Sequence, residues 1–365
     1  MVGTLPVEKQ MTTDQEETAS DSKAGAKALA DVRREGVSRR GILATLAAAP
    51  ALGMAGAPAP ARAQSIEEAA ARVQAALKDA RGTKLVLLGT GGGPAPGQER
   101  RMASHVMLHD GAAYLLDCGL GVTDQYARCG IPFAALRSIF ITHHHPDHNV
   151  EYGPLLVIGW IQGMPQSVRG YGPPPLKQMT EDFHRAYSQT IDFWAEDLKM
   201  KPLGVIDVLE ISGGGPVMQD ENVKVSATLV KHPPVKPALA YRFDFADRSI
   251  AFSGDTVPLA AVAELAKGAD ILVHEAMNIP AVEAALRRRI AAGIPGTLDA
   301  MMKHMLADHS PTEEVGRIAA EAGVKTLVLS HLVPGGTDLT DASWREAAAR
   351  HFKGEIIVGH DMMVI

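Results

Sequence analysis

The chain has 365 residues, of which 46% are hydrophobic and 21% are charged. This composition is that of a globular protein, long enough for one large domain or two small ones. The net charge of −6 excludes a general nucleic-acid binder that works through a basic surface. Two cysteines, Cys118 and Cys129, are too few for a disulfide framework. We expect two buried free thiols, although an oxidising compartment would allow one bond between them.

The N-terminal segment carries the features of an export leader. Residues 1–37 are polar and low in aromatics, which is typical of disorder. Arg39 and Arg40 then precede an uncharged Ala-rich run, and Ala61-Arg62-Ala63 has the small residues of a cleavage site. The pattern predicts a twin-arginine-type signal peptide, read by the twin-arginine export machinery and cleaved after Ala63. The product would be periplasmic or secreted.

Removal of residues 1–63 would leave residues 64–365 as one mature domain, in which no stretch is apolar enough for a stable membrane span. A helix is predicted from Ser65 to about Gly82, followed by a strand at 84–88 and a glycine run. The glycine run lacks the Lys-Ser/Thr of a phosphate-binding loop. We interpret it as a tight turn that brings the backbone close to a functional site. A β-hairpin across Asp110-Gly111 and a short helix follow.

The stretch Thr142 to Asn149 has the strongest chemical signal. It follows a predicted buried strand, and its proline and asparagine are expected to keep it in a loop. Four imidazoles and a carboxylate within six residues are costly to bury unless something binds them. The spacing His143-x-His145-x-Asp147-His148 lets alternate side chains converge on one metal and turns the last two toward a second. Imidazole and carboxylate suit zinc, with manganese or iron as alternatives. A solvated His-rich loop is the reading without metal.

Further elements are predicted in order along the chain. A buried helix at 153–160 and a strand at 168–171 precede a helical segment at 176–198. In that segment Phe183, Tyr187, Ile191 and Trp194 have helical spacing, which is typical of core packing. A second hypothesis is that Phe193 or Trp194 lines an aromatic substrate pocket.

The C-terminal half is predicted to be rich in strands. The predicted strands lie at 205–211, 223–230, 240–245, 249–252, 271–273, 325–330 and from 355. Two helices meet near residues 293–296, and another begins at Asp341. A capping box is predicted with Ser310 as N-cap and Glu313 as its partner.

Several of these strands lead into residues that can bind metal, namely His232, Asp255 and His331. Strands that end at one rim would bring them together with the histidine motif. This order, with its surrounding motifs, resembles the metallo-β-lactamase superfamily over residues 83–365. The resemblance implies an α/β fold (α+β in four layers), the αββα sandwich, with a two-metal site at one edge of the sheets.

The resemblance also implies seven metal ligands. The first metal would be held by His143, His145 and His232. The second would be held by Asp147, His148 and His331, with Asp255 bridging both. Two Zn²⁺ ions would provide a hydroxide nucleophile and clamp the attacked ester, and Asp147 is a candidate catalytic residue that orients or deprotonates the water. The other histidines are predicted non-ligands, with His274 a candidate outer partner: His105, His109, His144, His184, His274, His304, His351 and His360.

Comparison with individual groups of the superfamily reduces the number of activities that we expect. His145 stands where flavodiiron proteins have glutamate, and Asp255 is an acid that true β-lactamases lack, so neither activity is expected. Val273-His274-Glu275-Ala276 and His309-Ser310-Pro311-Thr312 resemble segments of the tRNA 3′-processing endonucleases (ribonuclease Z). There the corresponding glutamate and histidine are thought to help protonate the leaving group. Glu275 and His309 are therefore candidate catalytic residues, and the alternative for His309 is an ordinary helix-start residue.

The exported arylsulfatase-like branch gives the closer resemblance, through residues 142–148, 171–175 and 331–335. The leader, the acidic charge and the acidic segment 176–210 argue against tRNA as substrate. We therefore expect an exported dinuclear hydrolase of sulfate or phosphate esters that acts on a small-molecule ester and not on nucleic acid. The alternatives are a lactone or thioester hydrolase, a ribonuclease Z-like phosphodiesterase and an exported metal- or ligand-binding protein. The sequence leaves the oligomeric state open, with a homodimer among the options.

Overall fold

The computed structural model describes residues 65–79, 81–96, 98–336 and 339–365. The expected leader and its cleavage site lie outside the described residues, so they stay predictions. In the described part of the chain, no helix is long and apolar enough to cross a membrane. Cys118 and Cys129 are both buried and free, as predicted.

Among the described residues, two mixed sheets of seven strands each form the centre of the fold. The first has the order β14-β1-β2-β3-β4-β5-β6. Its strands are β1 (Thr83–Gly89), β2 (Ser104–His109), β3 (Ala112–Leu116), β4 (Leu136–Phe140), β5 (Arg169–Gly172), β6 (Asp207–Glu210) and β14 (Met363–Val364). The second has the order β13-β12-β11-β10-β9-β8-β7. Its strands are β7 (Gly215–Gln219), β8 (Val223–His232), β9 (Val235–Phe245), β10 (Ser249–Phe252), β11 (Ile271–Met277), β12 (Thr326–Val333) and β13 (Glu355–Val358).

The sheets pack against each other through one core and against helices through two others. Along β1, Leu85 and Leu87 enter the core between the sheets, while Val86 and Leu88 enter the core beneath the helices. This alternation follows from the two-residue repeat of a strand, and a strand covered on both faces is apolar at every position. The inter-sheet core also contains stacked and edge-on aromatic rings around Phe140.

Helices cover the outer faces of both sheets, which confirms the four-layer αββα fold. The helices packed on the first sheet are α1 (Ile66–Leu77), α2 (Val122–Arg128), α4 (Tyr152–Ile161), α5 (Leu176–Ala186) and α6 (Ser188–Leu198). Those on the second are α7 (Ala260–Leu265), α10 (Thr312–Ala322) and α11 (Asp341–Ala349). The pair α8 (Ile279–Ala291) and α9 (Leu298–Asp308) packs on a small separate core, and α3 (Pro146–Asn149) is a single turn.

Most predicted elements are confirmed, and the errors have local causes. The segment after His145 is not a loop but the turn α3, because proline suits the first position of a helix. The segment 176–198 is two helices that meet at Tyr187, and Trp194 is 42% exposed, so its assignment to the core was wrong. Strands β7 and β14 were missed, since one begins with Gly-Pro and the other has two residues.

The predicted capping box at the start of α10 was also wrong. The helix begins at Thr312 without a side-chain cap. Ser310 Oγ instead donates a hydrogen bond to the carbonyl of Thr256, at 2.6 Å, and Glu313 binds Arg350 and His351. Tertiary partners therefore replaced the local ones that the pattern predicts.

Gly316 sets the approach of α10 to α11. A Cβ at this position would lie 2.2 Å from the carbonyl oxygen of Ala348. We predict that Gly316→Ala lowers the free energy of unfolding by about 1–3 kcal/mol through overpacking, despite the helix propensity of alanine. Chemical denaturation measures the change. The matched control is Gly213→Ala, which would meet no atom within 4 Å; equal unfolding midpoints for the two variants would contradict this packing argument.

Candidate metal centre

The side chains predicted from the sequence converge at one rim of the two sheets. His143 follows β4, His232 ends β8, Asp255 follows β10, and His331 lies within β12. The short turn α3 then carries Asp147 and His148 to the same place. All of these side chains are buried, and His145 is half-buried. Their sequence separation is bridged because the ends of neighbouring strands share one edge.

One cluster contains three histidines and one carboxylate. The ligand atoms of His143, His145, His232 and Asp255 all lie within 4.8 Å of one another. Asp255 Oδ2 is 3.8 Å from the Nε2 atoms of both His143 and His232. His145 Nδ1 is 3.0 Å from His232 Nε2. Three imidazoles and a carboxylate oxygen at these distances match the donor set of a zinc-type site.

A second cluster shares Asp255 with the first. It consists of Asp147, His148, Asp255 and His331, again with ligand atoms within 4.8 Å. Asp255 Oδ1 is 3.3 Å from His148 Nε2, and Asp255 Oδ2 is 3.2 Å from His331 Nε2. His331 Nε2 is also 3.3 Å from Asp147 Oδ2. The carboxylate of Asp255 thus lies between the two clusters: Oδ2 is within 3.8 Å of His143, His232 and His331, and Oδ1 faces His148.

Unpaired buried atoms test whether divalent cations fit these clusters. His143 Nε2, His148 Nε2 and Asp255 Oδ1 are buried without a hydrogen-bond partner among the described residues. Leaving such atoms unpaired is costly, and each points at its cluster, so a cation satisfies them. Burial also lowers the pKa of His143 well below its usual range and lowers that of His232, which favours the neutral imidazole that binds metal.

Outer hydrogen bonds fix the orientation of the clustered histidines. Asp117 Oδ2 is 2.8 Å from His148 Nδ1 and also accepts from the hydroxyl of Thr142. The carbonyl of Asp308 is 2.8 Å from His232 Nδ1. With a proton held on each Nδ1, the Nε2 lone pairs face the cluster. Sequence reasoning missed Asp117, for which the available signal was an acid directly after the buried strand β3.

Glu275 and His309 form a pair beside both clusters. Glu275 Oε2 is 2.9 Å from His309 Nδ1, and Glu275 Oε1 accepts from the backbone N–H of Thr256 at 2.6 Å. The His309 ring centroid is 5.2 Å from that of His232 and 5.8 Å from that of His331. Burial lowers the pKa of His309, but the charge and hydrogen bond of Glu275 outweigh it and raise the pKa to about 9. The pair therefore holds a proton at the edge of the clusters.

The other histidines lie outside both clusters. His144 faces away, with Nε2 2.8 Å from the carbonyl of Pro173. His105 and His274 are fully buried and line a cavity behind His148 and His331. Phe193 and Trp194, which are 60% and 42% exposed, are not among the residues that line this cavity, so the aromatic-pocket hypothesis stays a prediction.

Comparisons with known proteins agree with this geometry. A family model described as a beta-lactamase superfamily domain matches residues 113–332. Ribonuclease Z of Mycobacterium avium (strain 104) is 33% identical over 285 residues, which cover 76% of this chain and 96% of that protein. Among solved structures, the metallo-β-lactamase fold protein YhfI from Bacillus subtilis has a TM-score of 0.56 at 20% identity, covering 78% of this chain and 99% of its own. The short form of human tRNase Z has a TM-score of 0.55 at 21% identity, covering 77% and 98%.

The fold and the two His/Asp clusters define a metal-dependent hydrolase that acts on ester bonds. More specifically, the chain belongs to the metallo-β-lactamase superfamily, and within it the sequence is similar to ribonuclease Z over almost the full length of that protein. The comparisons favour the ribonuclease Z-like alternative over the arylsulfatase-like expectation.

Proposed function

We propose that this protein is a dinuclear metal-dependent phosphodiesterase. The observation that carries the proposal is the Glu275–His309 pair at 2.9 Å, placed against histidines of both clusters. A proton donor beside a metal pair suits the expulsion of an alkoxide, the poor leaving group of a phosphodiester. The sequence similarity to ribonuclease Z supports the same bond type.

The two clusters would hold two zinc ions. The first ion would bind to His143, His145, His232 and Asp255, and the second to Asp147, His148, Asp255 and His331. Such a pair supplies Lewis acidity, which activates water near neutral pH and balances charge on the attacked phosphoryl group.

The chain's own groups perform the proton transfers. Asp147 is held by the backbone N–H of Gly93 at 2.9 Å, and its carboxylate would orient or deprotonate the attacking water. Glu275 keeps a proton on His309 Nδ1, so that His309 Nε2, protonated in the imidazolium form, donates to the departing oxygen. His309 has 14% of its side chain exposed against 1% for Glu275, so the histidine is the member of the pair that can reach substrate.

A small phosphodiester is the proposed substrate class, rather than a long RNA. The chain is acidic overall, and the described segment 176–210 forms α5, α6 and β6 with more acidic than basic residues. A polyanion gains little from such a surface. The proposed substrate is therefore still a small-molecule ester, as expected from the sequence. The phosphodiester bond is inferred from the similarity to ribonuclease Z.

A substrate panel tests the proposal against the arylsulfatase-like expectation. Metal-replete protein should hydrolyse bis(p-nitrophenyl) phosphate, with p-nitrophenyl sulfate, an aryl lactone and a short RNA assayed in parallel. We expect the diester to be turned over with the highest kcat/KM and the activity to disappear on chelation. Turnover of the sulfate or the lactone without the diester would contradict the proposal.

Loss of the Glu275–His309 pair should lower kcat most for substrates with poor leaving groups, which need a proton to depart. Glu275→Gln and His309→Ala should lower kcat about 10²–10⁴-fold on a diester with an alkoxide leaving group, because general acid catalysis has this magnitude. On a p-nitrophenyl diester, whose leaving group needs no proton, the loss should be far smaller.

A matched control exists on the exposed surface of α8, where Glu283 pairs with Arg287. Glu283→Gln should leave both rates unchanged. Equal losses on both leaving groups for the His309 variant would show that His309 is not the proton donor.

We propose export on the strength of the leader alone. N-terminal sequencing of secreted or periplasmic protein should begin at Gln64, and replacing Arg39 and Arg40 with lysine should keep the protein in the cytoplasm. A mature chain that begins elsewhere, or localisation that is unaffected by the replacement, would reject this part.

A further inference from the structure

The loop between β1 and β2 reaches the second cluster with its backbone. Gly93 donates its N–H to Asp147 Oδ2 at 2.9 Å. Gly92 lies against the ring of His331, where a Cβ would come within 2.9 Å of Nδ1. Two ligands of the second cluster are therefore in contact with the described residues of this loop.

The position of that loop depends on a carboxylate near the C-terminus. Asp361 Oδ1 accepts from the backbone N–H and the hydroxyl of Thr90, at 2.9 and 2.7 Å. Asp361 Oδ2 accepts from the backbone N–H of Arg101 at 2.6 Å. Thr90 lies at the start of the loop and Arg101 near its end, so the carboxylate of Asp361 is hydrogen-bonded to both ends of the loop.

A guanidinium reinforces the same anchor. Arg100 donates to the hydroxyl of Thr90 at 2.7 Å and to the carbonyl of Gly359 at 2.5 Å. Thr90 is fully buried, so losing its partner would leave donors unsatisfied inside the protein. The loop would keep its backbone hydrogen bonds from Gly91 to the carbonyl of Arg101 and from Gly92 to the carbonyl of Leu332, so we expect the loss of Asp361 to shift the loop rather than unfold it.

We propose that Asp361 is a positioning residue for the second metal, acting through the glycine loop on Asp147 and His331. This inference rests on the metal pair of the proposed function. Partners one step outside a metal's ligands commonly change metal affinity 10–100-fold, and Asp361 acts on two ligands together through one loop. The first metal should be insensitive to it.

The far end of β1 offers a matched control. Thr83 donates its backbone N–H to Asp247 Oδ2 at 2.8 Å and its hydroxyl to Asp247 Oδ1 at 2.5 Å, so a carboxylate again accepts from both groups of one threonine. That site lies six residues of strand away and touches neither cluster. Asp247→Asn therefore repeats the chemical change of Asp361→Asn without reaching the metals.

The test is a Zn²⁺ titration of the full mature chain, stripped with chelator, followed by competition with a chromophoric chelator. Wild type and Asp247→Asn should bind two ions with the same affinities. Asp361→Asn should bind one ion unchanged and the other about 10–100-fold more weakly. In a His232→Ala background, which weakens the first site, Asp361→Asn should weaken the remaining high-affinity binding by the same factor of about 10–100.

A second variant keeps the inference testable if Asp361→Asn folds poorly. Gly92→Ala keeps Asp361 and pushes directly on His331, so it should produce the same selective loss. Thermal unfolding of the stripped proteins measures any general destabilisation. Unchanged Zn²⁺ binding in Asp361→Asn, or equal weakening at both sites, would overturn the proposed role of Asp361 and leave the metal pair of the proposed function intact. A wild type that binds fewer than two ions would overturn the metal pair and this inference with it.

Discussion

The carboxylate of Asp255 is the group on which the arrangement of the site depends. It lies between two groups of histidines and is itself buried, with one oxygen unpaired among the described residues. A buried anion is unfavourable without a compensating cation. The carboxylate of Asp117 and the carbonyl of Asp308 accept hydrogen bonds from His148 and His232, and Thr142 donates to Asp117, so these groups orient the histidines toward bound ions.

The sequence was sufficient to predict what is encoded locally. The six residues from His143 to His148 by themselves predict a metal site. The apolar runs before this motif and before His331 predict strands. Their meeting at one rim follows from the fold that the resemblance implied. The Glu275–His309 contact was expected from two short motifs, although 34 residues separate the pair.

What the sequence could not predict depends on partners that are distant along the chain. Asp361 contacts Thr90 across 271 positions, and nothing around either residue marks the pairing. The capping-box prediction at Ser310 failed for the same reason, because the hydroxyl found a tertiary carbonyl instead of a helix N–H. Asp117 was visible only as an acid directly after a buried strand, whereas its role depends on the position of His148.

The most direct test of the account is a crystal structure of metal-replete protein with anomalous diffraction measured at the zinc edge. The account predicts two peaks, one among His143, His145 and His232 and one among Asp147, His148 and His331, with Asp255 between them. A single peak, or metal bound away from Asp255, would contradict it.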